Sequence, residues 1–331
     1  MGAAEMKVSK LLVFTQENCP NCPVAKKAAM MVGDELKIPV EVVDVNEVPD
    51  DLEFELLQNQ IYVAATPTIV AVEDGRMKPL ALGDPISYEE LKEKFNEAAF
   101  RSLELIREIR PELLAKPSSI LKLSAVANMA DTQVLGFNGR PEHMACLLEN
   151  LNVVADESRI IDMLENRNVM IILDNAGEAV FDIELAKRLS IMGNDVTIVA
   201  RHYSYEIDVT FDEVSRLLSG YGLKVLSTMS SYPFFYPKNI PEKLLSEARR
   251  SDIVISKGIA NLEAYIDYHE YYSDINVVFA FNVKCDVLSD LVGVRKGSSL
   301  VITGDRLLER VRKNIRENPR LRGFIRVKQS M

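Results

Sequence analysis

The sequence predicts an α/β protein in three parts: an N-terminal β-α-β-α-β-β-α unit, a helical connecting region, and a C-terminal doubly wound, largely parallel α/β domain. Three observations predict it. From Val8 to about Phe95 short apolar runs alternate with amphipathic stretches. Residues 99–168 read as mostly helical, punctuated by Pro111, Pro117, Gly136, Gly139 and Pro141. From Asn168 onward, strands too apolar to leave one face wet are interleaved with helical spacing, which calls for a parallel sheet covered on both sides. The expected boundaries are 1–98, 99–168 and 169–331.

Each element has a local reason. "KLLVFT" is an apolar strand, "PVAKKAAMMVGDEL" has helical spacing, and "PVEVVDV" alternates as a strand does. "DDLEFELLQNQ" opens with acids that favour a helix N-terminus. "TPTIVAVEDGR" is a strand ending in an Asp-Gly turn; "KPLALGD" follows, and in "SYEELKEKF" Ser87 and Glu90 have capping-box spacing. Six strands are expected in the C-terminal part: "VMIIL", "DVTIVA", "LKVLS", "DIVIS", "NVVFAFNV" and "SLVIT".

Composition excludes several classes. A chain of 331 residues with 47% hydrophobic and 27% charged residues has material for about two globular cores. Its longest apolar runs fall short of the ~20 residues a membrane span needs, and "MGAAEMKVSK" lacks a signal-peptide core. A cytoplasmic protein without a membrane partner is expected. A net charge of −10 argues against a phosphate-backbone footprint, so nucleic acid is not an expected partner. Oligomeric state stays open.

Four cysteines, with only Cys19 and Cys22 paired in a CxxC, make neither a disulfide framework nor a full zinc site. Redox chemistry leads over a pair of buried or metal-binding thiols. Cys19 precedes a helix start that favours thiolate, so it is the expected attacking thiol and Cys22 the resolving one. Over residues 7–98, CPNC after the first strand and Thr66-Pro67 resemble the glutaredoxin and thioredoxin family, which places a cis-proline beside its thiols. That resemblance implies a thioredoxin-like domain, redox support from Thr66 and Pro67, and a thiol partner or glutathione.

In a parallel sheet, ligands gather at the carboxyl ends of the strands. There the chain carries Asp174, Asn175 and Glu178; then Asp208; then Lys257 with Asn261 and Glu263; then Lys284. Carboxylate and amide oxygens without histidine suit a hard divalent ion such as Mg²⁺ or Mn²⁺, and two lysines add an anionic substrate, most simply a phosphate. "LDNAGEAVFD", "IDVTFDE", "ISKGIANLEAY" and "FNVKCDVLSDLVGV", with "ANMADTQVLG" before them, resemble over residues 100–310 the DUF89 family of metal-dependent damage-control phosphatases. The resemblance implies phosphomonoester hydrolysis of a small phosphorylated metabolite with Mn²⁺, Mg²⁺, Co²⁺ or Ni²⁺ held by Asp174, Asn175 and Asp208. Asp174 and Asp208 are then the catalytic carboxylates; Lys257 and Lys284 face phosphate, with Asn261, Glu178, Asn128 and Asp131 nearby. The chain departs from the family pattern in "RHYSYEIDVT", where Ile207 stands before Asp208 in place of Asn, and at Ala260 and Asp286.

Alternatives stand beside this reading. Asp174-Asn175 could simply cap a helix. The protein could be chiefly a thiol-disulfide oxidoreductase whose C-terminal domain binds a phosphorylated ligand without hydrolysing it, or a redox-regulated interaction protein. Cys146 and Cys285 are expected as small core residues, and Tyr203 and Tyr205 as pocket lining.

Overall fold

The computed structural model describes residues 8–17, 19, 21–59, 61–63, 66–73, 75–80, 85, 86, 88–129 and 153–321. Asp131, Cys146 and Ser87 lie outside the described residues. The chain divides into two compact units, Met1–Leu91 and Lys92–Met331.

In the first unit, β1 (Val8–Thr15) leads through α1 (Cys22–Leu36) to β2 (Val40–Asp44), which pairs parallel to it. After α2 (Asp50–Gln58) and the short β3 (Tyr62–Val63) come β4 (Thr68–Glu73), antiparallel to β1, and β5 (Arg76–Leu80), antiparallel to β4. The sheet order is β2-β1-β4-β5. Alternation along β1 divides the core: Leu12 and Phe14 pack with Leu52 and Leu56 of α2, while Leu11 and Val13 pack with Ala29 of α1. β3 pairs with β6 (Pro85–Ile86), a small ladder that the sequence pattern does not signal. The Thr66–Pro67 peptide is cis, and Cys19 and Cys22 are joined as a disulfide.

The second unit holds most of α3 (Tyr88–Ile109), then α4 (Pro117–Ala127) and a seven-stranded sheet. Its strands are β7 (Val153–Asp156), β8 (Asn168–Ile172), β9 (Asp195–Ala200), β10 (Lys224–Ser227), β11 (Ile253–Lys257), β12 (Val277–Asn282) and β13 (Ser299–Thr303), in the order β10-β9-β8-β11-β12-β13-β7. The first five run parallel; β13 is antiparallel to β12 and parallel to β7. All six expected strands form. The expectation of a mostly helical 99–168 needs correction at β7, a four-residue strand too short to show its period.

Both faces of this sheet are covered. Val169, Ile171, Val196, Ile198, Ile253 and Ile255 pack with α4, α5 (Glu178–Ile191) and α6 (Phe211–Leu217). Met170, Ile172, Val254, Phe279 and Phe281 pack with α7 (Glu242–Arg250), α8 (Ile259–Tyr268), α9 (Asp286–Val292) and α10 (Gly304–Glu317). Consecutive strand residues thus face opposite helical layers, which is why these strands are apolar throughout. No helix among the described residues is long and apolar enough to cross a membrane.

On the second face Phe235 is fully buried and meets Tyr265, Tyr272 and Phe279 at centroid separations of 5.2, 5.0 and 5.9 Å. Three aromatic neighbours cannot collapse together into the space one ring leaves. Phe235→Ala is therefore expected to destabilise the second unit by about 3–5 kcal/mol, read as a lowered urea midpoint at unchanged slope.

Candidate active site

The sheet's winding reverses at β8 and β11: chain order runs outward from β8 through β9 and β10 on one side, and from β11 to β12 on the other. Such a switch point opens a crevice beyond the carboxyl ends of the strands. Asp174 follows β8 and Lys257 ends β11, so the two sit on adjacent strands at that crevice.

Backbone pairing then delivers the second carboxylate. Ala176 N–H donates to the Ile207 carbonyl and Val209 N–H to the Asp174 carbonyl, each at 2.8 Å, making an antiparallel bridge between Asn175 and Asp208. Asp174, Asn175 and Asp208 are all buried. Gly258, at φ +79°, allows the close approach: a Cβ there would lie 2.0 Å from the Asp174 carboxylate. Asn175 Nδ2 donates to Asp174 Oδ2 at 3.0 Å, which leaves its amide oxygen as the atom it can offer a cation. Among the described residues no three His, Cys, Asp or Glu are grouped to hold a metal ion; the hard set here is two carboxylates and an amide. That donor chemistry fits Mg²⁺ or Mn²⁺.

Behind the crevice lies a buried charge network. Asn128, at the end of α4, donates to Asp174 Oδ2 (3.2 Å) and Glu178 Oε1 (3.0 Å) and accepts from Asn282 N–H (3.0 Å). Glu178 also accepts from Asn175 N–H (2.9 Å). The Lys257 ammonium, fully buried, donates to Glu178 Oε2 (2.9 Å) and the Ser124 carbonyl (3.4 Å), with Asp182 Oδ1 at 4.0 Å. Burial lowers its proton affinity, but Asp182 and Glu178 more than reverse this, and its pKa is raised. Asn261 accepts from Phe234 N–H and donates to the Lys257 carbonyl. Lys284 is fully buried at the end of β12.

The structure therefore brings together Asp174, Asn175, Asp208, Glu178, Asn128, Lys257 and Asn261. Lys257, Asn128 and Asn261, expected against a substrate, use polar atoms on neighbouring protein groups. Cys19, Cys22, Thr66 and Pro67 belong to the first unit. Cys285, expected in the core, is half-buried, and its sulfur accepts from Leu288 N–H at the start of α9. Tyr203 and Tyr205 are exposed.

Sequence reasoning passed over four contributors. Asp182 lies one helical turn beyond Glu178. Lys92 donates to Ser204 and Glu213, and Asn96 accepts from Gly177 N–H at 2.7 Å, so one face of α3 ties both motif loops. Arg201 pairs with Asp208 at 2.8 Å. Its signal was its place immediately after the apolar run of β9.

A family model described as the damage-control phosphatase ARMT1-like domain matches residues 50–300. An uncharacterized protein of Methanocaldococcus jannaschii is 25% identical over 279 residues, 79% of this chain and 91% of its own. A damage-control phosphatase of Pyrococcus horikoshii is 24% identical over 66% of this chain and 74% of its own. One from Archaeoglobus fulgidus is 26% identical over 66% and 75%. The crystal structure of a DUF89 family protein from P. horikoshii superposes with a TM-score of 0.54 at 21% identity, covering 65% of this chain and 74% of that one, a likeness of fold.

Burial holds the Asp182 carboxyl far above the usual carboxylate range, at about 7, against the pull of Lys257. An unfolded aspartate titrates near ~4, so the unfolded chain loses this proton first as pH rises, and the stabilisation present below about pH 4 is lost progressively up to about pH 7. Asp182→Asn keeps an acceptor for Ser124 but does not titrate. It is expected to flatten the fall of stability across that window, measured as urea midpoints at stepped pH.

Proposed function

The chain belongs to the damage-control phosphatase ARMT1-like family, and from that premise we propose that it is a metal-dependent phosphomonoester hydrolase acting on a small phosphorylated metabolite. The observation that carries the reading is the bridge between Asn175 and Asp208, which supports a three-oxygen metal site of Asp174, Asn175 and Asp208 at the sheet's switch point. A divalent ion bound there would supply Lewis-acid polarisation of a phosphoryl oxygen and activation of water. Mn²⁺, Mg²⁺, Co²⁺ and Ni²⁺ are the ions the reading admits.

The protein's own groups have distinct tasks in it. Asn128 and Asn175 hold the Asp174 carboxylate by hydrogen bonds to Oδ2. Lys257 supplies positive potential from behind the crevice while neutralising Glu178, and the reading assigns the buried Lys284 to the phosphate as well. Such fixed charges favour an anionic substrate without reorganising during reaction. Asn261 secures the turn after β11, and the reading counts Asp131 among the substrate-binding residues. The division into 1–98, 99–168 and 169–331 belongs to the same reading.

For residues 1–98 we infer a thioredoxin-like dithiol module. What supports it is the β2-β1-β4-β5 order, the bonded Cys19–Cys22 pair at the start of α1, and Thr66–Pro67 leading into β4. Cys19 precedes the helix and Cys22 is buried in its first turn, so in the dithiol form Cys19 attacks a partner's disulfide and releases one partner thiol, and Cys22 then attacks Cys19, releasing the second and restoring the Cys19–Cys22 bond.

Asp174→Ala and Asp208→Ala are each expected to lower Mn²⁺-dependent phosphate release by about a hundredfold or more, since groups merely supporting metal ligands already cost about 10–100-fold. A phosphomonoester screen with divalent metals tests this; two variants as active as wild type would sink the site. In the first unit, Cys22→Ser is expected to retain a glutathione adduct after exposure to oxidised glutathione, seen by mass spectrometry. An adduct confined to Cys22 in Cys19→Ser protein would reverse the order of the thiols.

A further inference from the structure

Arg201 is a cation in direct ion pairing with a proposed metal ligand. Its guanidinium lies 2.8 Å from Asp208 Oδ2, and both side chains are only 8% exposed. Its position is built rather than incidental. The Arg201 carbonyl accepts from Phe211 N–H (2.7 Å), a bridge joins Arg201 to Thr210, and the guanidinium also donates to the Ser231 carbonyl and sits 5.9 Å from the Tyr205 ring. The ion pair with Asp208 and the hydrogen bond to Ser231 both use Nη1, one end of a fork that carries five N–H donors and matches phosphate geometry.

Two cations cannot share a buried carboxylate without repelling each other. We propose that Arg201 couples metal and phosphate binding: its guanidinium neutralises Asp208 while no metal is present, and turns to the substrate's phosphate once a divalent ion takes that carboxylate. The claim rests on the metal reading above and adds a residue to it. A charge count favours it. Asp174, Asp208 and Glu178 lie with Arg201 and Lys257, so a divalent ion brings this group into positive excess, which an anionic phosphate offsets. Arg201 then acts twice, first against premature metal binding and later as a ligand of the anion.

Calorimetric titration of the full chain with Mn²⁺, with and without inorganic phosphate below its precipitation limit, tests the proposal. Arg201→Gln is expected to bind Mn²⁺ about tenfold more tightly than wild type without phosphate. Phosphate is expected to tighten Mn²⁺ binding in wild type by about five- to tenfold, within the usual span of coupling between sites, and by at most about twofold in the variant. Arg201→Lys keeps the charge without the fork: it should retain wild-type Mn²⁺ affinity within about threefold and lose most of the phosphate coupling. If Arg201→Gln fails to fold by circular dichroism, the lysine variant decides, and unchanged coupling in it overturns the proposal. So does wild-type Mn²⁺ affinity in folded Arg201→Gln. Asp208→Ala separates the two claims. Mn²⁺ affinity equal to wild type in that variant removes the metal reading itself, whereas a loss there together with a silent Arg201→Gln removes only the role of Arg201.

Discussion

Two backbone hydrogen bonds, Ala176 N–H to the Ile207 carbonyl and Val209 N–H to the Asp174 carbonyl, are the constraint on which the rest of the site depends. They continue strand-like pairing past the end of β8, where side chains no longer have to be apolar. Without them Asp174 and Asp208 would sit on separate loops more than thirty residues apart in the chain. With them, an amide and two carboxylates share one patch of backbone, and like charges are held close. Holding them so requires compensation from groups that are themselves fixed.

The compensation is internal. Removing a carboxylate from water costs several kcal/mol unless hydrogen bonds and counter-charges replace the solvent. Glu178 receives bonds from Asn128, from Asn175 N–H and from Lys257; Asp208 receives Arg201. Asp182 is served on one side: its Oδ1 accepts from Ser124, while its fully buried Oδ2 has no hydrogen-bond partner. Its burial, with the nearby Glu178 charge, is the physical reason its proton is held so firmly. A region this polar at the heart of an apolar sheet is tolerated because the switch point opens between helices there.

The loop "RHYSYEIDVT" departs from the family pattern without dismantling the backbone pairing. Ile207, which stands where the resemblance implies Asn, is buried, and its carbonyl rather than its side chain serves the bridge. His202 Nδ1 is 3.1 Å from Ser227 Oγ, and Ser204 is tied to Lys92. Tyr203 and Tyr205 stand exposed on the same loop. These side chains lie on the loop while Asp208 stays bridged to Asn175.

Strand period, apolar runs and turn residues lie in neighbouring positions of the chain, so the sequence by itself determined the α/β class, all six main strands of the second unit, and the polar residues at their carboxyl ends. It also determined the helix that begins at Cys22. A four-residue strand such as β7 leaves too little periodicity to register, and the β3–β6 pair less still. Which of the strand-end residues meet was decided only by tertiary structure. Lys257 carries the same charge in the sequence whether it faces solvent or Glu178, and its burial follows from the adjacency of β11 to β8 and the packing of α4 and α5. Arg201 reads as an ordinary basic residue after a strand until the bridge turns Asp208 toward it. Pairing energies of charged groups depend on separation and on exclusion of water, and both are set by contacts between segments far apart in the chain.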